Sequence, residues 1–118
     1  MPKSFLHVYT STYRYPMGAD RLDITVKGQD PIGKHFAPTW ELVRRFKDKQ
    51  HPLDEESYTR EYRKLMRRSY VEHRHIWDEL LARDRVVLVC FCRPGAFCHR
   101  LLLAGFLEQC GAKYEGEI

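Results

Sequence analysis

The 118-residue chain carries 20 Lys and Arg against 16 Asp and Glu, a net charge of +4, with 43% hydrophobic residues and a mean hydropathy of −0.55. This length suits one domain whose core needs no disulfide. No run approaches the roughly 18 consecutive apolar residues of a membrane-spanning helix, and the mild positive charge permits an anionic partner without requiring one. The start, MPKSFLHVY, lacks the apolar core and cleavage site of an export signal. A reducing, cytoplasmic setting with free thiols is therefore expected for the four cysteines.

In chain order, FLHVY (residues 5–9) alternates as a first strand and runs into TSTYRYPMG, which ends in turn-forming Pro16 and Gly18. RLDITVK (21–27) is a second strand, rich in β-branched residues, followed by a Gly- and Pro-containing loop. Thr39 is placed to cap a short helix, WELVRRFKDK, which His51-Pro52 breaks. Asp54 caps the next helix, with Glu55 and Glu56 in its first turn, where the helix dipole favours acids. From there Tyr58, Tyr62, Leu65, Met66, His73, Ile76, Trp77 and Leu80 hold one helical stripe, as one long helix or as two bent near Ser69-Tyr70.

VVLVCFC (86–92) is an unbroken apolar run, the signature of a strand covered on both faces in a parallel sheet. After the RPGAF loop, CHRLLLAGFLEQC is a helix apolar nearly all round, with Gly111 as its C-cap, and KYEGEI closes as a short strand. The pattern predicts a small α/β domain over residues 1–118: a mainly parallel sheet with helices on both faces, in three layers.

Within the eleven residues from Cys90 to Arg100 stand three cysteines, a histidine and two arginines. Cys90, Cys92, Cys98 and His99 form one possible zinc set, but the spacing argues against it. Residues two apart on a strand lie about 6.6 Å apart, whereas two sulfurs on one zinc are at most about 4.6 Å apart. Cys98 and His99 would also diverge by about 100° if both were helical. A cysteine-loop-arginine nucleophile site needs arginine six positions after the cysteine, and Arg100 lies eight beyond Cys92.

An anion cradle fits better. A tight Pro94-Gly95 loop after a buried strand opens a helix, whose first turn offers unpaired N–H groups and partial positive charge. Arg100 can grip an oxyanion two-pronged, or it can pair internally with Asp23 or Glu117. Cys98, at a helix start beside Arg100, stands where a thiol is activated. Cys90 and Cys110 read as buried small hydrophobes, with Cys92 intermediate.

The stretch CFCRPGAFCHRLLLAGFLEQCGAKYEGEI resembles the domain-of-unknown-function family 488, marked by a strand ending in cysteine, a short loop, and Cys-His-Arg opening a helix. Cys90 and Cys98-His99-Arg100 match that pattern. So do Tyr9-Thr10-Ser11 after the first strand, Ala37-Pro38 before a helix, and the helix bearing Tyr58 and Tyr62. Family members often carry an acid shortly after the strand cysteine, where this chain has Cys92. The resemblance implies an α/β fold and a pocket at the Cys-His-Arg helix, and it supplies no reaction.

These readings converge on a small anionic ligand, a phosphate or nucleotide, held by Arg100, Cys98 and His99 with Thr10, Ser11 and Arg14 completing the wall. His99 and Cys98 are the candidate catalytic groups, and no cofactor is indicated. One alternative is a nucleic-acid-binding module using the basic stripe Arg60, Arg63, Lys64, Arg67 and Arg74. The other is zinc on Cys90, Cys92, Cys98 and His99. Lys34 and His35 stand in a loop that is either a flap over the pocket or plain surface.

Overall fold

In a computed structural model, which describes residues 5–91 and 97–118, four strands and four helices alternate along the chain. The strands are β1 (His7–Thr12), β2 (Arg21–Asp23), β3 (Arg85–Cys90) and β4 (Lys113–Glu117). The helices are α1 (Trp40–Phe46), α2 (Glu55–Glu72), α3 (Arg74–Leu81) and α4 (His99–Gln109), with a 3-10 turn at Gly33–Phe36. The sheet order is β2-β3-β1-β4 and every pairing is parallel. β3, the apolar run, is an inner strand whose Val86, Val87, Leu88 and Val89 are fully buried, as its unbroken hydrophobicity requires.

Register decides which side chains meet. Val8 pairs with Val86, Thr10 with Leu88 and Thr12 with Cys90. Alternation therefore sends Val8, Thr10, Val86, Leu88 and Cys90 to one face, with Tyr9, Ser11, Arg85, Val87 and Val89 on the other. The first face carries the main core, where Val86 and Leu88 join Tyr62, Trp77, Leu80, Leu103 and Leu107 from the helices.

The small parallel α/β architecture is as expected, but its helices share that one face. β2 to β3 and β3 to β4 cross the sheet in the same direction, and right-handed connections put both crossovers on one side. On the other face lies the β1–β2 connection. Asp20 takes the Arg85 guanidinium at 3.0 Å, and Tyr15 donates to the same Asp20 oxygen at 2.7 Å.

Local signals set most boundaries. Thr39 Oγ1 accepts from Leu42 N at 3.1 Å and Asp54 Oδ1 from Ser57 N at 2.7 Å, so both caps form as read. The second strand stops at Asp23, short of Lys27, because Asp23 Oδ1 turns back to accept from both the backbone and the hydroxyl of Thr25. The long helical region is two helices, broken at His73 (φ −129°, ψ 42°) rather than at Ser69-Tyr70. Ser69 Oγ there receives Trp77 Nε1 at 3.0 Å and donates to His35 O at 2.7 Å, tying α2, α3 and the 3-10 turn together. Among the described residues no helix is long and apolar enough to cross a membrane.

Candidate functional site

Cys90 ends β3 on the helix-bearing face, and α4 begins eight residues later above the same strand end. Cys92, Pro94 and Gly95, which the sequence reading places in the connecting strand end and loop, lie outside the described residues. Cys98 is the N-cap of α4, with extended backbone (φ −160°, ψ 155°) and no capping bond from its side chain. That conformation removes the expected divergence of Cys98 and His99, because the 100° step applies only between two helical residues. Their side chains converge, with Cys98 Sγ 3.5 Å from His99 Nδ1. Cys98 Sγ also lies 2.7 Å from Cys90 Sγ.

The imidazole is held from behind. His99 Nε2 donates to the Ile24 carbonyl at 2.6 Å, since a carbonyl can only accept. The proton therefore sits on Nε2, and Nδ1 turns its lone pair towards Cys98. Burial dominates the electrostatics of the ring and holds the His99 pKa below the ordinary imidazole range. The ring is neutral near pH 7 and ready to accept a proton on Nδ1.

Ile24 reaches that position through a tight return of the chain after β2. A Cβ on Gly33 would stand 1.9 Å from the Asp23 carbonyl oxygen, so only glycine fits there.

Arg100 is fully buried. Its Nε and Nη2 donate to the two Glu117 oxygens at 2.7 and 3.2 Å, and Nη1 donates to Cys90 Sγ at 2.8 Å. Burial opposes its charge, but the bonds to Glu117 and Cys90 outweigh that and raise its pKa above the ordinary arginine value. Of the two readings of this residue, the internal pairing with Glu117 is the one formed. The fork faces a carboxylate and a sulfur of its own chain, so its influence on any ligand passes through Cys90.

The other wall residues are placed differently from one another. Thr10 and Ser11 do reach the carboxyl end of the sheet beside β3, as parallel pairing demands. Thr10 Oγ1 is bonded to Tyr114 Oη at 2.6 Å, however, and Ser11 donates to the Ile118 carbonyl at 2.8 Å, so both hydroxyls tie β1 to the last strand. Arg14 is exposed on the β1–β2 connection. Lys34 and His35 belong to the 3-10 turn, pinned where His35 O accepts from Ser69 and Phe36 O from Tyr62.

Cys110 corrects the sequence reading: it is exposed, because α4 ends at Gln109 and the C-cap lies beyond the core. Cys90 is buried as read. It is more than a small hydrophobe, since it meets both Cys98 and Arg100.

A narrow cleft of about 90 Å³ opens over Cys90, Cys98 and His99. Phe46, Tyr58 and Phe97 wall it, their ring centroids 4.8 to 5.7 Å apart. Lys47 is the cation at its edge. Sequence reasoning missed this wall. Aromatic residues at 46, 58 and 97 carry no shared spacing, and only the packing of α1 and α2 against the start of α4 joins them.

A larger groove of about 500 Å³ lies elsewhere, between α2, α3 and α4, with Met66, Trp77 and Phe106 at its floor and Arg63 and Arg67 on its wall. Three of the five stripe cations are paired along their own helices: Arg60 with Glu56, Lys64 with Glu61 and Arg74 with Asp78.

Comparison with known proteins returns one family, described as DUF488-N3a, the active DUF488-N3 subclade, matched over residues 8–111. No curated protein and no solved structure matches the chain.

Proposed function

We propose, for a chain that belongs to the domain-of-unknown-function 488 family, that the cleft over Cys98 and His99 takes the reactive end of a small anionic molecule. A nucleotide is the favoured class. The observation that carries this reading is the Cys98–His99 pair itself: a sulfur 3.5 Å from an imidazole nitrogen whose tautomer is fixed by a backbone carbonyl, both lining one cleft.

Such a pair supports nucleophilic displacement. The Cys98 thiol passes its proton to His99 Nδ1 as the sulfur bonds to an electrophilic centre, and His99 returns the proton to the departing group. The partner behind His99 is a carbonyl, not a carboxylate, so the imidazolium receives modest support and exists only in passing.

Size limits what enters. A volume of about 90 Å³ equals roughly three waters at about 30 Å³ each, well under the several hundred Å³ of a pocket that encloses a whole ligand. The reacting group therefore inserts, while the rest of the molecule stays at the mouth near Lys47. The partial positive charge of the first turn of α4 favours an anion in the same place.

The test is ligand protection. Reduced protein is mixed with inorganic phosphate or a nucleoside monophosphate and alkylated with a thiol reagent, and the labelled cysteines are mapped. Protection of Cys98 with exposed Cys110 unaffected is expected, together with a ligand-dependent rise in Tm. Equal labelling with and without ligand, and an unmoved Tm, reject the reading.

A second reading has its own observation. The ligand atoms of Cys90, Cys98 and His99 all lie within 4.8 Å of one another. That set fits a soft divalent ion such as zinc, with a fourth position open to the cleft, and the carbonyl behind His99 is the outer partner such a ligand keeps. Zinc measured on untagged protein, one per chain in the parent and lost in Cys98→Ser, would establish it. A chain purified without zinc that also takes up none when supplied would end it.

A further inference from the structure

We infer that Cys90 and Cys98 form a reversible oxidation pair, in which a hydroperoxide oxidises Cys98 and Cys90 resolves the product to a disulfide. The inference rests on the reading of Cys98 as the reactive sulfur of the cleft.

Three independent placements support it. The two sulfurs lie 2.7 Å apart on separate rigid elements, the last residue of β3 and the N-cap of α4, so bonding needs little backbone movement. His99 Nδ1 stands 3.5 Å from Cys98 Sγ to take its proton. Arg100, fixed by both oxygens of Glu117, donates to Cys90 and holds that sulfur in position beside Cys98. A peroxide is about the size of two waters, and the cleft volume of about 90 Å³ admits it.

The chemistry closes in two steps. First, the Cys98 sulfur attacks one peroxide oxygen, forming an S–O bond and breaking the O–O bond. The thiol proton passes through His99 to the departing oxygen, which leaves as alcohol or water, and Cys98 becomes a sulfenic acid. Second, the Cys90 sulfur attacks Cys98 Sγ, the S–O bond breaks, and hydroxide leaves as water with the Cys90 proton. Two thiols and one hydroperoxide give one disulfide, one alcohol (or water) and one water. An external dithiol restores the pair by exchange.

Cys110 is the internal control. It lies at the far end of α4, about 16 Å away over eleven residues, and burial pushes its thiol pKa up. It is therefore a slow nucleophile with neither sulfur in reach.

The experiment uses the full chain carrying Cys110→Ser, reduced and then exposed to a modest excess of hydrogen peroxide. The expected result is a mass lower by about 2 Da, loss of two alkylatable thiols, a Cys90–Cys98 linked peptide, and reversal by dithiothreitol. In Cys90→Ser the reaction should stop at a Cys98 sulfenic acid that a cyclic dione captures. Two thiols that stay alkylatable after peroxide would overturn the inference, as would thiols shielded by one bound zinc per chain.

The parent chain gives the same peptide map if a variant fails to fold. Failure here and failure of the cleft reading are separable. Ligand protection without disulfide formation rejects the pair alone, and disulfide formation without ligand protection rejects only the proposed ligand.

Discussion

Two regions of the molecule offer a ligand something, and they are built on opposite terms. At the end of β3 the space is small and each polar side chain is committed: His99 to Ile24, Arg100 to Glu117 and Cys90, Cys90 to Cys98. On the α2–α4 side the groove is over five times larger, about 500 against 90 Å³, yet its two cations, Arg63 and Arg67, have no carboxylate in ion-pair range among the described residues. Space alone would direct attention to the groove. Chemistry directs it to the cleft, because a buried charge or imidazole is costly unless bonded. A fold that retains four such groups at one strand end has fixed their geometry as well.

The sharpest way to break this contrast is Arg100→Leu. It leaves the Glu117 carboxylate, at 22% side-chain exposure, without its fork and deprives Cys90 of a donor. Losing one member of a buried pair costs about 3 to 5 kcal/mol, and the partial exposure of Glu117 places the expected loss near about 3 kcal/mol. Urea denaturation measures it. A loss below about 1 kcal/mol would show that solvent replaces the pair easily and that the strand end is less committed than its bonds imply.

Next in size is Gly33→Ala. A methyl group 1.9 Å from a backbone carbonyl oxygen cannot be absorbed by a side-chain rotation, so the return after β2 must move. About 1 to 3 kcal/mol is expected, as for other overpacked sites. The displaced Ile24 carbonyl should also release His99 and change the rate at which Cys98 is alkylated. Loss of stability with an unchanged Cys98 rate would mean that His99 does not depend on this loop.

Smaller again is the acid side of the stability profile. Burial lowers the folded pKa of His99, and it lowers that of His35 together with the nearby His73 and Lys34 charges. A histidine whose folded pKa is depressed takes up a proton more readily when unfolded. The unfolded chain therefore binds more protons below about pH 6.5, and stability falls as pH drops through that value, by at most about 1.4 kcal/mol per pH unit for each histidine. His99→Gln, with its amide on the Ile24 carbonyl, should flatten the slope between about pH 6.5 and 5. An unchanged slope would assign the effect to His35.

How far these regions were legible in the sequence follows from how local each cause is. Thr39 and Asp54 were readable as caps because each bonds a backbone N–H three residues on. The central strand was readable because an unbroken apolar run of that length, rich in valine, suits a strand covered on both faces and little else. Glu117 was one of two acids in view for Arg100, since a charged residue at the start of a buried helix needs a partner.

Convergence was not readable. The meeting of Cys90 with Cys98 depends on how α4 seats over β3, and that of Cys98 with His99 on an extended N-cap that a helical template replaces by divergence. The break at His73 depends on Ser69 being bonded to both Trp77 and His35, 8 and 34 residues away. The single-faced helical layer came from strand order, which no local pattern encodes.

The smallest expected effect tests the other half of the contrast. Arg63→Gln with Arg67→Gln removes two cations that no described acid answers, on a helix face where the neighbouring Arg60, Lys64 and Arg68 are each paired. Exposed charges of this kind contribute little to folding, so the unfolding midpoint should not move and Cys98 should label as before. If the groove tracks a phosphate backbone, the same double variant should weaken single- or double-stranded nucleic-acid binding and lower its salt dependence by about two charges. Unaltered binding would make the groove an apolar surface with a solvated rim. A shifted Cys98 labelling rate would show instead that the two regions, which share α4, are coupled through it.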